Sequence, residues 1–316
     1  MREKLLTGCL QFQKMLRREK QVLEFWDRKN KLSVKNKEYK DFVQKIFYFL
    51  LEEDVKSGDI TTNSLIKKNK KIFALIVAKE EGIIAGLEEF SSINKDLKLK
   101  FLKKDGNKIK SGEKILEIKG NAEKILERER VSLNLLQRMS GIATITNRLS
   151  KKAGNKIRLA ATRKTLWGLL DKKAVSIGGG LTHRLNLNDG IIIKENHIKI
   201  LNYNIKGILS NVKNKSKYIE IEVEKSGKAL DAAKAIRQLK SNNLFAIMFD
   251  KIPPEDIKSI IGKFKSQNIY DNILFEASGN INENNLIGYI DCGADIISMG
   301  SITNSAKIID MSLEIR

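Results

Sequence analysis

The chain is poor in the residues that staple or metallate a fold. Two cysteines, Cys9 and Cys292, and two histidines, His183 and His197, are all that its 316 residues contain. Two cysteines far apart in sequence make neither a disulfide framework nor a thiolate metal cluster, and they fit a reducing compartment, the cytoplasm. One histidine with a distant second is poor material for a zinc site. No apolar run approaches the ~20 residues that span a bilayer, so no membrane association is expected. The start, MREKLLTGCL, contains a Leu-Thr-Gly-Cys that resembles a lipoprotein box. The apolar stretch before Cys9 is too short for a signal segment, which removes that reading. No GxGxxG or Walker A loop is present. Gly178 to Gly180 do not follow a strand-like run as a dinucleotide fingerprint demands.

Acidic residues are scarce beside basic ones: 38 against 59, for a net charge of +21. Lysines spread over solvated faces account for this most simply. A basic face for nucleic acid is the sharper alternative. The lysines occur almost everywhere, however, and no RNA- or DNA-binding motif stands out, so a nucleic-acid partner is not expected. A positive field would also draw in a polyanionic small molecule.

A hydrophobic fraction of 41% and a charged fraction of 31% describe a globular chain. Its length allows one dominant domain with a smaller companion. Residues 1–40 are charged, with apolar residues at helical spacing (Leu5, Leu6, Leu10, Phe12, Leu16, Val22, Leu23, Phe25, Trp26), and read as an accessory helical extension. Residues 41–59 read as a helix. Residues 71–120 read as short strands punctuated at Gly82, Gly86, Asp105-Gly106 and Ser111-Gly112. Residues 122–152 read as one long helix. These place an N-terminal domain at 41–150.

From about residue 156 the texture changes. Short apolar runs recur and end in polar residues or glycine: IRLAATRK, GIIIKEN, YIEIEVEK, LFAIMFDK, ILFEASGN and DIISMGS. Helix-like stretches such as SGKALDAAKAIRQLKSN lie between them. Strand-then-helix repetition marks a parallel α/β fold, here an α/β barrel over 151–316 with a C-terminal tail that packs back on the N-terminal domain. Polar residues at successive strand ends are what a barrel's active face requires. The last two ends, Ser278-Gly279-Asn280 and Gly300-Ser301, are small and glycine-bearing, suited to a phosphate. Ala161 to His197 concentrate Arg163, Lys164, Arg184, Lys194 and both histidines. Such a density of cations among short apolar runs points to a highly anionic small-molecule ligand.

With these residues in view, the chain resembles the quinolinate phosphoribosyltransferase family. The shared motifs run in order from about Leu50: EEDVKSGDITT (52–62), EGIIAG (81–86), DGNKIKSGEKI (105–115), ERVSLNLLQRMSGIAT (129–144), ATRKT (161–165), GGGLTHRLNLND (178–189), IIIKENH (191–197), EIEVE (220–224), FD (249–250), EASGNI (276–281) and GADIISMGSIT (293–303). The resemblance implies a type II phosphoribosyltransferase fold, an N-terminal α/β sandwich plus an open α/β barrel. It implies transfer of phosphoribosyl from phosphoribosyl pyrophosphate (PRPP) to quinolinate with decarboxylation, in NAD synthesis. It also implies Mg²⁺ brought with PRPP, and a homodimer or larger homo-oligomer that shares active sites.

By the same resemblance, Arg163, His183 and Arg184 would grip the quinolinate carboxylates, with Thr162 and Lys164 nearby and Arg130 reaching in from a partner copy. Lys194 would bridge quinolinate and the pyrophosphate side of PRPP. Glu222 and Asp250 would face the ribose hydroxyls, directly or through Mg²⁺. Alternation alone puts Glu220, Glu222 and Glu224 on one face, so Glu222 is selected by the resemblance. Ser278, Gly279, Asn280 and Gly300 would hold the ribose phosphate. The catalytic set implied is Lys164, Lys194, Glu222 and Asp250, while His197 would orient Lys194 or its loop. Against each cation stands the ordinary reading of a surface charge or ion-pair partner, strongest at Arg130 because Arg128 and Arg138 are helix neighbours. For the glycines the ordinary reading is turn geometry.

Several positions depart from the family pattern. Leu166-Trp167-Gly168-Leu169-Leu170 replaces a Thr-Pro-Gly-Leu-Arg loop, losing a proline and a cation. Ala161 stands for a common aspartate, Lys251 for an asparagine and Asn304 for a histidine, and residues 1–40 have no counterpart. The altered loop leaves room for a paralogue associated with molybdenum transport that uses another acceptor. Nicotinate as acceptor would not need so many cations. A non-catalytic RNA-binding protein on the same scaffold would be expected to lose its acidic strand ends, which Glu222 and Asp250 retain.

Overall fold

The computed structural model describes residues 2–154, 156–202 and 204–316, with side chains from residue 13 onward. Leu5, Leu6, Leu10 and Phe12, expected on the apolar face of the extension, lie outside the described side chains. In chain order the strands are β1 (Lys71–Ala78), β2 (Gly82–Ile83), β3 (Lys98–Phe101), β4 (Lys108–Ile109), β5 (Lys114–Asn121), β6 (Arg158–Ala160), β7 (Ile191–Ile193), β8 (Tyr218–Val223), β9 (Leu244–Asp250), β10 (Ile273–Ser278), β11 (Ile296–Ser298) and β12 (Met311–Ile315). Each apolar run singled out after residue 156 contains one strand, and the helices Ser226–Gln238 and Pro254–Ser266 fall where helical spacing places them.

The chain forms two compact units that interleave along the sequence. One comprises Met1–Arg28, Lys151–Arg163 and Leu181–Ser301. The other comprises Lys29–Ser150, Lys164–Gly180 and Ile302–Arg316. This differs from the linear division at residues 40 and 150. The first 28 residues join the α/β unit because Val22, Phe25 and Trp26 are buried with its Ala160, Leu181, Ala246, Leu274 and Ile296. The 164–180 segment joins the other unit, where Arg138 and Asp171 pair.

The α/β unit holds a six-stranded sheet in the order β6-β11-β10-β9-β8-β7, parallel throughout. Leu181 adds a parallel bridge to Ala160 at the β6 edge. Among the described residues that edge and β7 do not pair, so the sheet is an open one. Its strands are buried almost throughout, as in β9 and β10, because helices cover a parallel sheet. All strands run one way, so their C-terminal ends lie along one edge, and that edge collects the chemistry.

The second unit holds an antiparallel sheet, β12-β1-β5-β3, with β2 and β4 paired separately. The long helix Ala122–Ala153 matches the expected 122–152. One stretch differs from its strand expectation: Leu87–Ile93 is a helix, entered through Gly86 at φ 102°. Leu87, Phe90 and Ile93 are its buried apolar residues, and their spacing of three is helical.

Candidate active site

Segment 181–190 leaves β6's edge and returns to β7, and it carries two of the expected ligand-binding residues side by side. His183 sits at φ 54° and is 6% exposed. Its Nδ1 accepts the Arg184 backbone N–H at 2.8 Å. The ring proton is therefore on Nε2, which donates to Glu276 Oε2 at 2.9 Å. Both ring nitrogens are thus occupied within the chain. His183 thereby orients Arg184, the residue expected beside it in gripping a carboxylate.

Arg184 is half-buried. Its Nη1 donates to the Gly190 carbonyl at 3.1 Å, and its buried Nε has no partner among the described residues. Burial, and then the neighbouring charge of Arg163, pull its pKa below the usual value, against the carboxylates of Glu220, Asp189 and Glu276. Two guanidiniums that repel each other in a partly desolvated place would gain from an anion bound between them.

Beneath this pair lies a layer of buried acid. Glu220 on β8 is 1% exposed and Glu276 on β10 is fully buried. With His183 they bring ligand-type atoms within 4.8 Å of one another. Like charges so placed cannot both ionise. Burial first, and then the charge of Glu276, hold the Glu220 carboxyl well above its ordinary range. For Glu276, burial acts upward, but His183, which hydrogen-bonds it, and the Ser298 hydroxyl bring it below the usual value. Of the two acids, Glu220 is therefore the harder to ionise and Glu276 the easier. Ser298 Oγ also meets Ser278 Oγ at 2.9 Å, tying the ends of β10 and β11 together.

Lys194 follows β7 and caps the helix Glu195–Ile200, its backbone N–H donating to His197 Nδ1 at 2.9 Å. His197 thus orients Lys194. The Lys194 ammonium pairs with Glu222 Oε2 at 3.0 Å. Glu222, Glu224 and the β9-terminal Asp250 bring carboxylate oxygens within 4.8 Å of one another. Of the three alternating glutamates, Glu220 points into the buried layer, while Glu222 is 8% exposed and pairs with Lys194.

Gly279 follows β10 at φ 88°, and a Cβ there would stand 2.5 Å from Asp250 Oδ1 and 2.6 Å from the Lys251 backbone nitrogen. Only glycine lets the ends of β9 and β10 close so tightly. Asn280 follows in the left-handed region at φ 54°. Gly300 leads from β11 into the helical turn Ser301–Asn304. Thr162 and Arg163 follow β6 on the same edge.

The remaining two expected residues belong to the other unit. Lys164 is exposed, and its carbonyl accepts from Thr303 Oγ1 at 2.8 Å. Arg130 is exposed on the long helix without an ion-pair partner among the described residues, whereas its neighbours Arg128 and Arg138 pair with Asp96 and Asp171. Asp171 also accepts the backbone N–H groups of Leu166 and Trp167 at 2.9 and 3.1 Å, fixing the divergent loop from inside its own unit.

Sequence reasoning missed Glu276, though its signal was present: a lone acid inside the apolar run ILFEAS. It also missed Arg28, Asp189 and Asp171, whose roles exist only through partners far away in sequence.

The model for the C-terminal domain of quinolinate phosphoribosyl transferase matches residues 142–314, and that for its N-terminal domain matches 59–140. The chain is 41% identical over 287 residues to the probable nicotinate-nucleotide pyrophosphorylase (carboxylating) of Methanocaldococcus jannaschii, covering 87% of this chain and 98% of that one. It is 39% identical over 277 residues to the protein so named in Methanothermobacter thermautotrophicus, covering 84% and 96%. The solved nicotinate-nucleotide pyrophosphorylase of Francisella tularensis superposes with a TM-score of 0.78 at 32% identity, covering 88% of this chain and 97% of that one.

Proposed function

The chain belongs to the quinolinate phosphoribosyltransferase family, and on that premise we propose that it transfers phosphoribosyl from PRPP to the ring nitrogen of quinolinate. One carboxylate leaves as CO2, pyrophosphate is released, and the product is nicotinate mononucleotide for NAD synthesis. The observation that carries this reading is Arg184: half-buried, pressed by Arg163, and with an Nε that meets no partner among the described residues. Guanidiniums bind carboxylates through paired N–H donors, and quinolinate has two carboxylates to offer.

His183 and Glu276 set the direction of Arg184, and the carboxylates of Glu220, Asp189 and Glu276 support its charge. Thr162 supplies a further contact to quinolinate. Lys194 leaves Glu222 to meet an anionic group, and the freed Glu222, with Asp250, faces the ribose hydroxyls. Their negative charge stabilises the positive character that develops at the ribosyl carbon as pyrophosphate departs. Ser278, Gly279, Asn280 and Gly300 present small side chains and backbone N–H groups to the ribose phosphate. Nothing here demands a protein nucleophile; alignment of ring nitrogen and ribosyl carbon supplies much of the acceleration.

Glu222, Glu224 and Asp250 form an all-oxygen group that fits Mg²⁺. Arriving with PRPP, the ion would neutralise pyrophosphate charge at these carboxylates. Exposed Arg130 serves the site of a second copy in a homodimer or larger assembly, and the enzyme works in the cytoplasm.

The test is calorimetric titration with quinolinate, then assay of nicotinate mononucleotide on adding PRPP and Mg²⁺. Binding and product formation, both lost in Arg184→Ala, are the expected result. PRPP binding without quinolinate binding would overturn the acceptor assignment and turn attention to the Leu166–Leu170 loop.

A further inference from the structure

Residues 1–58 precede the part of the chain that matches the family's domains. Within them, the helix Arg2–Trp26 is bound firmly into the α/β unit. Trp26 is fully buried, and Phe25 packs against it at a tilt, with ring centroids 4.7 Å apart. Their partners Tyr218, Leu244, Leu274 and Ile296 lie at the starts of β8, β9, β10 and β11. The helix therefore covers the sheet's N-terminal edge, opposite the edge that carries the chemistry. Arg18 reinforces this seat, pairing with Asp295 at 2.6 Å and lying 3.9 Å over the Tyr270 ring.

Arg28, just after the helix, reaches the substrate loop at both ends. Its backbone N–H donates to Thr182 Oγ1 at 2.7 Å, and that hydroxyl donates to the His183 carbonyl at 3.0 Å. Its Nε donates to Asp189 Oδ1 at 2.9 Å, while Asp189 Oδ2 accepts the Leu185 backbone N–H at 3.0 Å. The guanidinium is held in turn by the Glu24 carbonyl at 2.8 Å and by the Tyr218 ring at 4.4 Å. His183 and Arg184 thus sit in a loop clamped at Thr182 and at Asp189 by one arginine. Asp189 also lies close enough to Arg184 to act on its charge. Asp189 is at the same time ion-paired with Arg28.

We propose that the N-terminal helix and Arg28 form a positioning element for the acceptor loop, with Arg28 setting the affinity of Arg184 for the acceptor carboxylate. This rests on the reading of quinolinate as acceptor. Arg28 touches no reacting atom. Its removal would free Asp189 to turn on Arg184 and would loosen residues 182–190.

The experiment uses the full chain with Arg28→Ala, Arg28→Lys, Asp189→Asn and the Arg28→Ala/Asp189→Asn double variant. Arg28→Ala is expected to raise the KM for quinolinate about tenfold, with the KM for PRPP unchanged. Arg28→Lys should fall between, and provides the fallback if Arg28→Ala does not fold. In the double variant the competing charge is gone, so much of the quinolinate affinity returns. Hydrogen exchange of residues 182–190, read without substrates, should rise in Arg28→Ala while β8 stays protected. Unchanged exchange and an unchanged KM for quinolinate would overturn the proposal, as would an equal rise for both substrates. Faster exchange in a protein whose unaltered form makes no nicotinate mononucleotide would keep the clamp and refute the acceptor reading instead.

Discussion

Replacing each buried glutamate by glutamine separates two roles that look alike in sequence. Burial and the charge of Glu276 push the Glu220 carboxyl well above its ordinary range. Glu220→Gln therefore puts a neutral amide of nearly the same shape in place of the acid that resists ionisation. Its cost to stability should stay under about 1 kcal/mol, since a glutamine carbonyl can still accept from the Trp26 indole and its amide can donate to Glu276. Glu276 is the ionised member, accepting from His183 at 2.9 Å and from the Ser298 hydroxyl. Glu276→Gln removes that charge from under the imidazole, and hydrogen bonds to charged groups contribute ~1.5–3 kcal/mol each. A loss of about 3 kcal/mol, read as a fall in Tm of roughly 5–10 °C, is expected. Thermal denaturation followed by circular dichroism at neutral pH measures both. The difference infrared spectrum, parent minus Glu220→Gln, should show the carbonyl band of a protonated carboxyl, apart from the contribution of Glu89 that both proteins share. If Glu220→Gln proves the more damaging substitution, or the difference band is missing, the proton lies elsewhere and the reasoning fails.

Gly279→Ala should raise the KM for PRPP tenfold or more, because the added Cβ would press on Asp250 and on the Lys251 backbone in a left-handed conformation; an unchanged KM would show that the strand ends can part freely. In the second unit, burial raises Glu89 to a pKa of about 7, with Asp105 adding to it and the Tyr39 hydroxyl 2.7 Å away. Because the folded value lies above the unfolded one, the folded state keeps this proton longer, so stability is greatest below the ordinary glutamate pKa and falls as pH rises toward 7, by about 3 kcal/mol in all. Urea titrations across that range should show the slope, and Glu89→Gln should flatten it. Arg138→Ala strands the fully buried Asp171 carboxylate, which also holds Leu166 and Trp167; a loss of ~3–5 kcal/mol in chemical denaturation is expected, and a neutral result would mean that the loop needs no such anchor.

Much of the architecture is legible locally. Apolar runs ending in polar residues mark all six parallel strands, since burial on both faces demands such runs and the active edge demands such endings. Cations crowded between Ala161 and His197 announce an anionic ligand without any structure. What local pattern does not carry is destination. Residues 164–180 leave the α/β unit for the other, and nothing in their composition says so, whereas the C-terminal tail joins that unit as expected. The role of His183 depended on Glu276, 93 residues further on, and that of Arg28 on Asp189, 161 residues further on. Leu87–Ile93 read as strand because β1 and β2 precede it closely; spacing of three against two, over only seven residues, is a weak signal.

Strand β1 has β5 on one side and β12 on the other, with Ala74 to Ala78 opposite Ile315 to Met311. A ribosome that has delivered β1 must make more than two hundred further residues before the second neighbour emerges. Until then β1 presents an open edge of five apolar residues, ALIVA, to whatever is nearby. Closing that edge is a late, long-range event of the kind that slows folding. In the interval the nascent chain depends on chaperones, or on speed, to keep two copies from pairing along β1.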